Sequence, residues 1–190
     1  MIAVVMAGGK ASRFSKKVEK AVLDIRGRTL LERSLEALRE GGADEILVAI
    51  TDRVPQTKRL AMKLGTDAIQ TKGTSYHEDV IELLERYPRF LSLNVDVPFV
   101  NGNHVRELKK SSKSGSVAAV IPASITMMKP AEDSILVDGR GWKMLWIGLN
   151  MVTPEPETAL KVFDDPVLSI NINNEEDLAF ARRIAEERGL

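Results

Sequence analysis

Apolar residues fall in short continuous runs, separated by longer stretches in which they recur every three or four positions. Ile2–Met6 is five apolar residues in a row, the pattern of a strand buried on both faces. Comparable runs at Glu45–Ile50, Asp67–Gln70, Phe90–Val95 and Ser116–Ile121 predict further strands. Between them lie helical stripes. Leu30, Leu31, Leu35 and Leu38 follow Thr29-x-x-Glu32, a capping box whose side chains each satisfy a backbone N–H, and Gly41-Gly42 stops the helix. Pro55 opens a helix carrying Leu60, Ala61 and Leu64 and ended by Gly65. Tyr76 to Tyr87 forms another, with Val80, Ile81, Leu83 and Leu84 inward and Pro88 closing it, and Val105 to Lys110 a shorter one. Ala21–Ile25 reads as a short extended segment turned by Gly27.

Past Ala123 the rhythm changes. Ser134–Val137 and Trp142–Ile147 predict a hairpin with Asp138-Gly139 in the turn, running on into Gly148–Val152. Pro154–Phe163 reads as a helix, Val167–Ile172 as a strand, and Asn174–Arg188 as a terminal helix capped by Asn174 and Asp177. Alternating strands and helices predict an α/β fold: an open, mostly parallel sheet with helices on both faces. Ligands of such sheets sit beyond the carboxyl ends of the strands. The Gly8-Gly9 turn, Thr51, Thr71 and Asp96 all follow strands directly and should converge on one edge.

Bulk properties narrow the partners. The 190 residues fit one domain, 1–190, with 27 basic and 27 acidic residues and no net charge, which argues against nucleic acid or a membrane surface as the main partner. Without cysteine there is no disulfide framework, thiolate metal site or thiol nucleophile. No apolar run approaches the ~20 residues that span a bilayer, and no signal peptide precedes the first strand, so a soluble, cytoplasmic protein is expected. His77 and His104 sit in polar helical positions and read as solvated. Met127, Met128, Trp142 and Trp146 read either as core or as an exposed apolar face that covers an acceptor or a second copy.

The chemistry gathers where the first strand ends. Ala7-Gly8-Gly9-Lys10-Ala11-Ser12-Arg13, with Lys20 shortly after, offers main-chain amides and cations to a polyanion, triphosphate above all. No Gly-Lys-Ser/Thr closes the loop, so it is not a Walker A motif, and the dinucleotide fingerprint lacks its third glycine. Asp96, at the end of an apolar strand and just before Val97-Pro98, is placed for a hard cation. Asn171 and Asn173, two residues apart, share a face, and Asn174 can cap the following helix.

The N-terminal loop resembles the Ala-Gly-Gly-x-Gly-x-Arg…Glu-Lys loop of nucleotidyltransferases that move a nucleoside monophosphate onto a phosphorylated acceptor, with Ala11 in place of the third glycine and Phe14 in place of methionine. Asp96-Val-Pro-Phe99 resembles that superfamily's metal-binding motif, and Asn171-x-Asn173…Asp177-Leu178 its closing motif, with Asn174 for the usual threonine. Three local matches resemble the archaeal-type GTP:adenosylcobinamide-phosphate guanylyltransferases: Val18-Glu-Lys20 with Gly27-Arg28-x-Leu30; Thr71-x-Gly73-x-x-Tyr76-x-Glu78-Asp79, with Ser75 for a glycine; and Gly148-x-Asn150. The resemblance implies a Rossmann-like three-layer nucleotidyltransferase fold and transfer of GMP from GTP to a corrinoid phosphate. It further implies Mg²⁺ on Asp96 and Asn173, and a homodimer. By the same resemblance Arg13, Lys20 and Asp96 are catalytic. Ala7, Gly8, Gly9, Lys10, Ser12, Thr51, Thr71 and Gly73 would join them around the nucleotide, with Gly148 and Asn150 on the acceptor side. A molybdopterin guanylyltransferase or another nucleotidyltransferase with a small phosphorylated acceptor, and a non-catalytic GTP-binding regulator, are the alternatives.

Overall fold

The computed structural model describes residues 1–9, 13–14, 18–131 and 134–190. Its frame is an open sheet whose first half is parallel. Strand β1 (Ile2–Met6) lies between β4 (Glu45–Ile50) and β6 (Phe90–Asn94), and β5 (Asp67–Gln70) forms one edge beyond β4. A hairpin of β2 (Asp24–Ile25) and β3 (Arg28–Thr29) stands apart from it. The second half departs from pure parallel order. The ten-residue β9 (Lys143–Val152) inserts antiparallel between β6 and β7 (Ser116–Pro122), β8 (Ile135–Val137) pairs with its first residues, and β10 (Thr158–Val162) adds to β7 as the far edge. The order across the sheet is β10-β7-β9-β6-β1-β4-β5.

Alternation along the strands divides the core. Ala3, Val5, Val48, Ile50, Leu91 and Leu93 face a layer built by α1 (Leu30–Glu40), α2 (Pro55–Lys63), α4 (Gly102–Ser111) and α5 (Glu175–Arg188). Val4, Leu47, Ala49 and Phe90 point the other way, onto Leu83 of α3 (Tyr76–Arg86). The capping box at α1 forms as expected: Thr29 Oγ1 accepts from Glu32 N at 3.2 Å, and Glu32 Oε2 accepts from Thr29 N at 2.8 Å. All four predicted leucines of α1 are fully buried, each contributing ~1.5–3 kcal/mol. Among the described residues no helix is long and apolar enough to cross a membrane.

Four expectations need correction. Residues 154–163 contain no helix; Thr158–Val162 is strand β10, because the free edge of β7 offers five residues of parallel pairing that outweigh local propensity. Val167–Ile172 is no strand: Pro166–Ser169 is a 3₁₀ turn, started by Asp165 Oδ1 accepting from Val167 N at 3.2 Å. The β8–β9 hairpin, by contrast, turns at Asp138-Gly139 as expected, with Gly141 N donating to Asp138 O at 2.9 Å, Asp138 Oδ1 accepting from both Arg140 N and Trp142 N, and Gly141 in the left-handed region (φ 84°). Ile81 faces outward and is 46% exposed, whereas Asp79 is buried. His104 is not solvated: it closes the capping box of α4, its Nδ1 accepting from Asn101 N at 3.2 Å, and it stacks edge-on against Phe163.

Candidate functional site

β1, β4, β5 and β6 end together along one rim, and the residues following them meet there. β1 leads into Ala7, whose N–H donates to Ala49 O at 3.0 Å and carries the β1–β4 pairing one residue past the strand. Gly8 then passes so close to Thr51 that a Cβ on it would come within 2.8 Å of the threonine methyl. Thr51 Oγ1 donates to Gly8 O at 3.1 Å. Gly73, in the left-handed region at φ 65°, approaches the same methyl from the other side, where a Cβ would fall at 2.3 Å. Thr71 is buried beneath, its N–H and Oγ1 both donating to Ile50 O. Two bonds hold the Gly73 loop open: Gly73 N donates to Asp79 Oδ1 at 2.8 Å, and Arg53 Nη1 to Gly73 O at 3.0 Å. Gly8, Thr51, Thr71 and Gly73 thus form one wall.

Past the end of β6, the strand paired with β1, a second cluster forms from three distant parts of the chain. Lys20, on the 3₁₀ turn Lys20–Val22, donates to Asp96 Oδ2 at 2.7 Å and to Asn173 Oδ1 at 2.9 Å. Asp96 O accepts from Ile172 N at 2.9 Å, so the segment before α5 is tied to the end of β6. Asn173 Nδ2 donates to Asn171 Oδ1 at 3.1 Å, and Asp177 Oδ2 accepts from both Asn173 N and Asn174 N. Asn174 Oδ1 completes the box by accepting from Asp177 N at 2.8 Å. The other oxygen of Asp96, Oδ1, is buried without a hydrogen-bond partner. An orphaned carboxylate oxygen beside an amide oxygen suits a hard cation. Among the described residues no three His, Cys, Asp or Glu side chains gather to hold a metal.

Arg13 is exposed and lines a cleft of about 230 Å³ with Asn171, Asn173, Asp177 and Trp146. This cleft shares Ser134, Trp146 and Asn171 with a larger hollow of about 560 Å³, on the sheet face that carries α3. Gly148 and Asn150 line that hollow. Gly148 (φ 70°) bends β9 where its register with β7 shifts, and a Cβ there would strike Asn94 at 2.8 Å. Asn150 Nδ2 lies 3.4 Å from both Tyr76 Oη and Ser92 Oγ. The Tyr76 ring is half exposed, yet its hydroxyl end is tucked in, and that burial pushes the phenol above its ordinary value, so it stays neutral. Trp142 and Trp146 are exposed, while Met127 and Met128 pack partly against the core. Lys10 and Ser12 lie outside the described residues.

Sequence reasoning missed two carboxylates. Glu19 is buried, accepting from Gln56 N, Thr57 N and Thr57 Oγ1. Its only signal was its place beside Lys20. Asp79 was visible in the Thr71–Asp79 pattern, but not as the acceptor that shapes the Gly73 turn.

Residues 3–141 match the MobA-like NTP transferase domain. Over its full length the chain is 26% identical to an adenosylcobinamide-phosphate guanylyltransferase of Methanocaldococcus jannaschii, covering all of that protein. It is 28% identical to a 2-C-methyl-D-erythritol 4-phosphate cytidylyltransferase of Thermotoga neapolitana, over 67% of this chain and 61% of that one. A solved CMP:2-keto-3-deoxy-manno-octonic acid synthetase shares the fold at a TM-score of 0.70 and 15% identity, covering 98% of this chain and 99% of that one.

Proposed function

The chain belongs to the MobA-like NTP transferase domain family and is a nucleotidyltransferase; on that premise we propose that it moves GMP from GTP onto adenosylcobinamide phosphate and releases pyrophosphate. The observation that carries the site is Lys20, whose ammonium bridges Asp96, at the end of β6, and Asn173; β6 pairs with β1, the strand that leads into Gly8-Gly9. The full-length similarity to a guanylyltransferase supports the choice of substrates.

The acceptor's phosphate oxygen attacks the α-phosphorus in line, and the bond to the β-phosphate oxygen breaks. A phosphomonoester has its second pKa near ~6 and is ionised at neutral pH, so no side chain is needed as a base. What this chain supplies is placement and charge. The Gly8–Gly9 amides cradle the phosphates, with Lys10, Ser12 and Arg13 along the same loop. Ala7 continues β1 beneath them. Lys20 and Arg13 offset the negative charge that moves onto the departing pyrophosphate. The wall of Thr51, Thr71 and Gly73 faces the base. Gly148 and Asn150, with the Trp146–Tyr76 hollow, receive the acceptor. Asp96 and Asn173 are the residues that would hold Mg²⁺, Asp96 offering its unpartnered Oδ1. Bound there, Mg²⁺ would neutralise phosphate oxygens and withdraw charge from the α-phosphorus. The proposal includes a homodimer, which light scattering on the purified protein reads directly.

The test is pyrophosphate release with each nucleoside triphosphate against three acceptors: adenosylcobinamide phosphate, molybdopterin and 2-C-methyl-D-erythritol 4-phosphate. Turnover with GTP and the corrinoid alone is expected. Turnover with CTP and the erythritol phosphate would instead favour the reading suggested by the cytidylyltransferase relative. GTP binding without turnover on any of the three would overturn the choice of acceptor and favour another small phosphorylated acceptor or a non-catalytic GTP-binding role.

A further inference from the structure

Glu19 sits directly before the lysine on which the site closes, and it is 7% exposed. A carboxylate that deep is costly unless donors surround it. Here the donors come from a helix that follows more than thirty residues later. Glu19 Oε1 accepts from Gln56 N at 2.9 Å, and Oε2 accepts from Thr57 N at 2.6 Å and Thr57 Oγ1 at 2.8 Å. These are the free N–H groups of the first turn of α2, whose own N-cap residue, Val54, has no side-chain acceptor to give them. The helix is therefore capped from outside, with the negative charge set at the positive end of its dipole.

The same residue also acts through its main chain. Glu19 O accepts from Val22 N at 3.2 Å and so starts the 3₁₀ turn that carries Lys20, while Ala21 in that turn is buried. α2 in turn hangs from the Thr51 wall, since Val54 N donates to Thr51 O at 3.2 Å. One residue thus joins the wall made with Gly8 and Gly73 to the turn that aims Lys20 at Asp96 and Asn173.

We infer that Glu19 is a positioning residue: it uses the uncapped start of α2 as an anchor that fixes where the Lys20 ammonium stands. For activity the inference rests on the reading of Lys20 as a phosphate-binding cation; the placement of Lys20 in the free protein does not.

A pair of variants separates capping from positioning. Glu19→Ala removes both, whereas adding Val54→Thr gives α2 a local cap of nearly the same shape and leaves Lys20 without its anchor. Three quantities are read: thermal midpoint, rate of Lys20 acylation by an amine-reactive ester in the free protein (followed by peptide mass spectrometry), and kcat against KM. Lys20 is only 13% exposed through its side chain, so it should label slowly in the parent. Glu19→Ala is expected to lower the midpoint, speed labelling several-fold and cut kcat about tenfold or more, a displaced group costing up to ~10²-fold. Val54→Thr should then recover the midpoint, but not the labelling rate or kcat. Glu19→Gln keeps the shape with one acceptor oxygen and should label at an intermediate rate, which serves as the measurement if Glu19→Ala fails to fold. Parent-like labelling in either single variant, or recovery of labelling and kcat by Val54→Thr, overturns the inference. A fully active Lys20→Ala would overturn the proposed role of Lys20 instead, and leaves the labelling result to stand by itself.

Discussion

Thr51 makes the two glycines of the proposed nucleotide wall distinguishable, residue by residue. Its methyl obstructs a Cβ on Gly8 and a Cβ on Gly73, but only Gly73 also has a left-handed backbone, at φ 65°. Gly8→Ala should weaken GTP binding, and Thr51→Ser, which removes the methyl, should restore it in the double variant. Gly73→Ala should be rescued only in part, because ~1–2 kcal/mol of backbone cost stays after the methyl is gone. Calorimetric GTP titration of the four variants checks this, and equal rescue of both would contradict the backbone argument. Asp96 gives a sharper case, with one oxygen on Lys20 and the other unpartnered. Asp96→Asn keeps the shape and removes the charge, so turnover should fall ~10²–10³-fold with the thermal midpoint little changed. Activity near the parent's would remove Asp96 from the mechanism.

At the scale of elements, α5 does two jobs with two residues. Asn174 caps its first turn, whereas Asp177 closes the box and also holds Asn173 N at 2.8 Å. Asn174→Ala and Asp177→Ala should each cost about 1 kcal/mol of stability. Only Asp177→Ala should also lower kcat, since it alone frees the residue beneath Lys20; urea unfolding alongside steady-state kinetics separates the two effects. This helix also shows what can be read from a sequence. Its cap, the α1 box and the strands β1, β4, β5, β6 and β7 are local: hydrophobic period and capping chemistry lie within a few residues of each other. β10 is not local, because Thr158–Val162 becomes a strand only where β7 has a free edge, and two prolines just before it mimic a helix start. The site divides in the same way. The motifs bring Asp96, Lys20 and Asn173 to mind separately, but the bridge between them spans 153 positions from Lys20 to Asn173. Glu19 as the cap of α2 has no local signal at all.

Across the whole molecule, the antiparallel insertion of β9 sets the second half of the sheet, and His104 helps hold that half to the helical layer. It lies on α4, contacts Phe163 just after β10 at a centroid distance of 5.3 Å, and points Nε2 at Asp165 Oδ2, 3.4 Å away. Its Nδ1 must stay unprotonated to accept from Asn101 N. Burial pushes its pKa below the ordinary value, against the pull of Asp165 and Glu107, so the folded protein keeps the ring neutral where the unfolded chain would protonate it. The sign follows: in the window from the ordinary histidine value of ~6.5 down to the lowered folded one, the unfolded state binds more protons, and stability drops as pH falls. Above that window the contribution is fully present. Unfolding free energies measured by urea at pH 7.5 and 5.5 should therefore fall more steeply for the parent than for His104→Gln, which keeps an acceptor for the Asn101 N–H and carries no titrating ring. Parallel pH slopes for the two proteins would show that the imidazole is charged in the fold, and that the capping box does not depend on its neutral form.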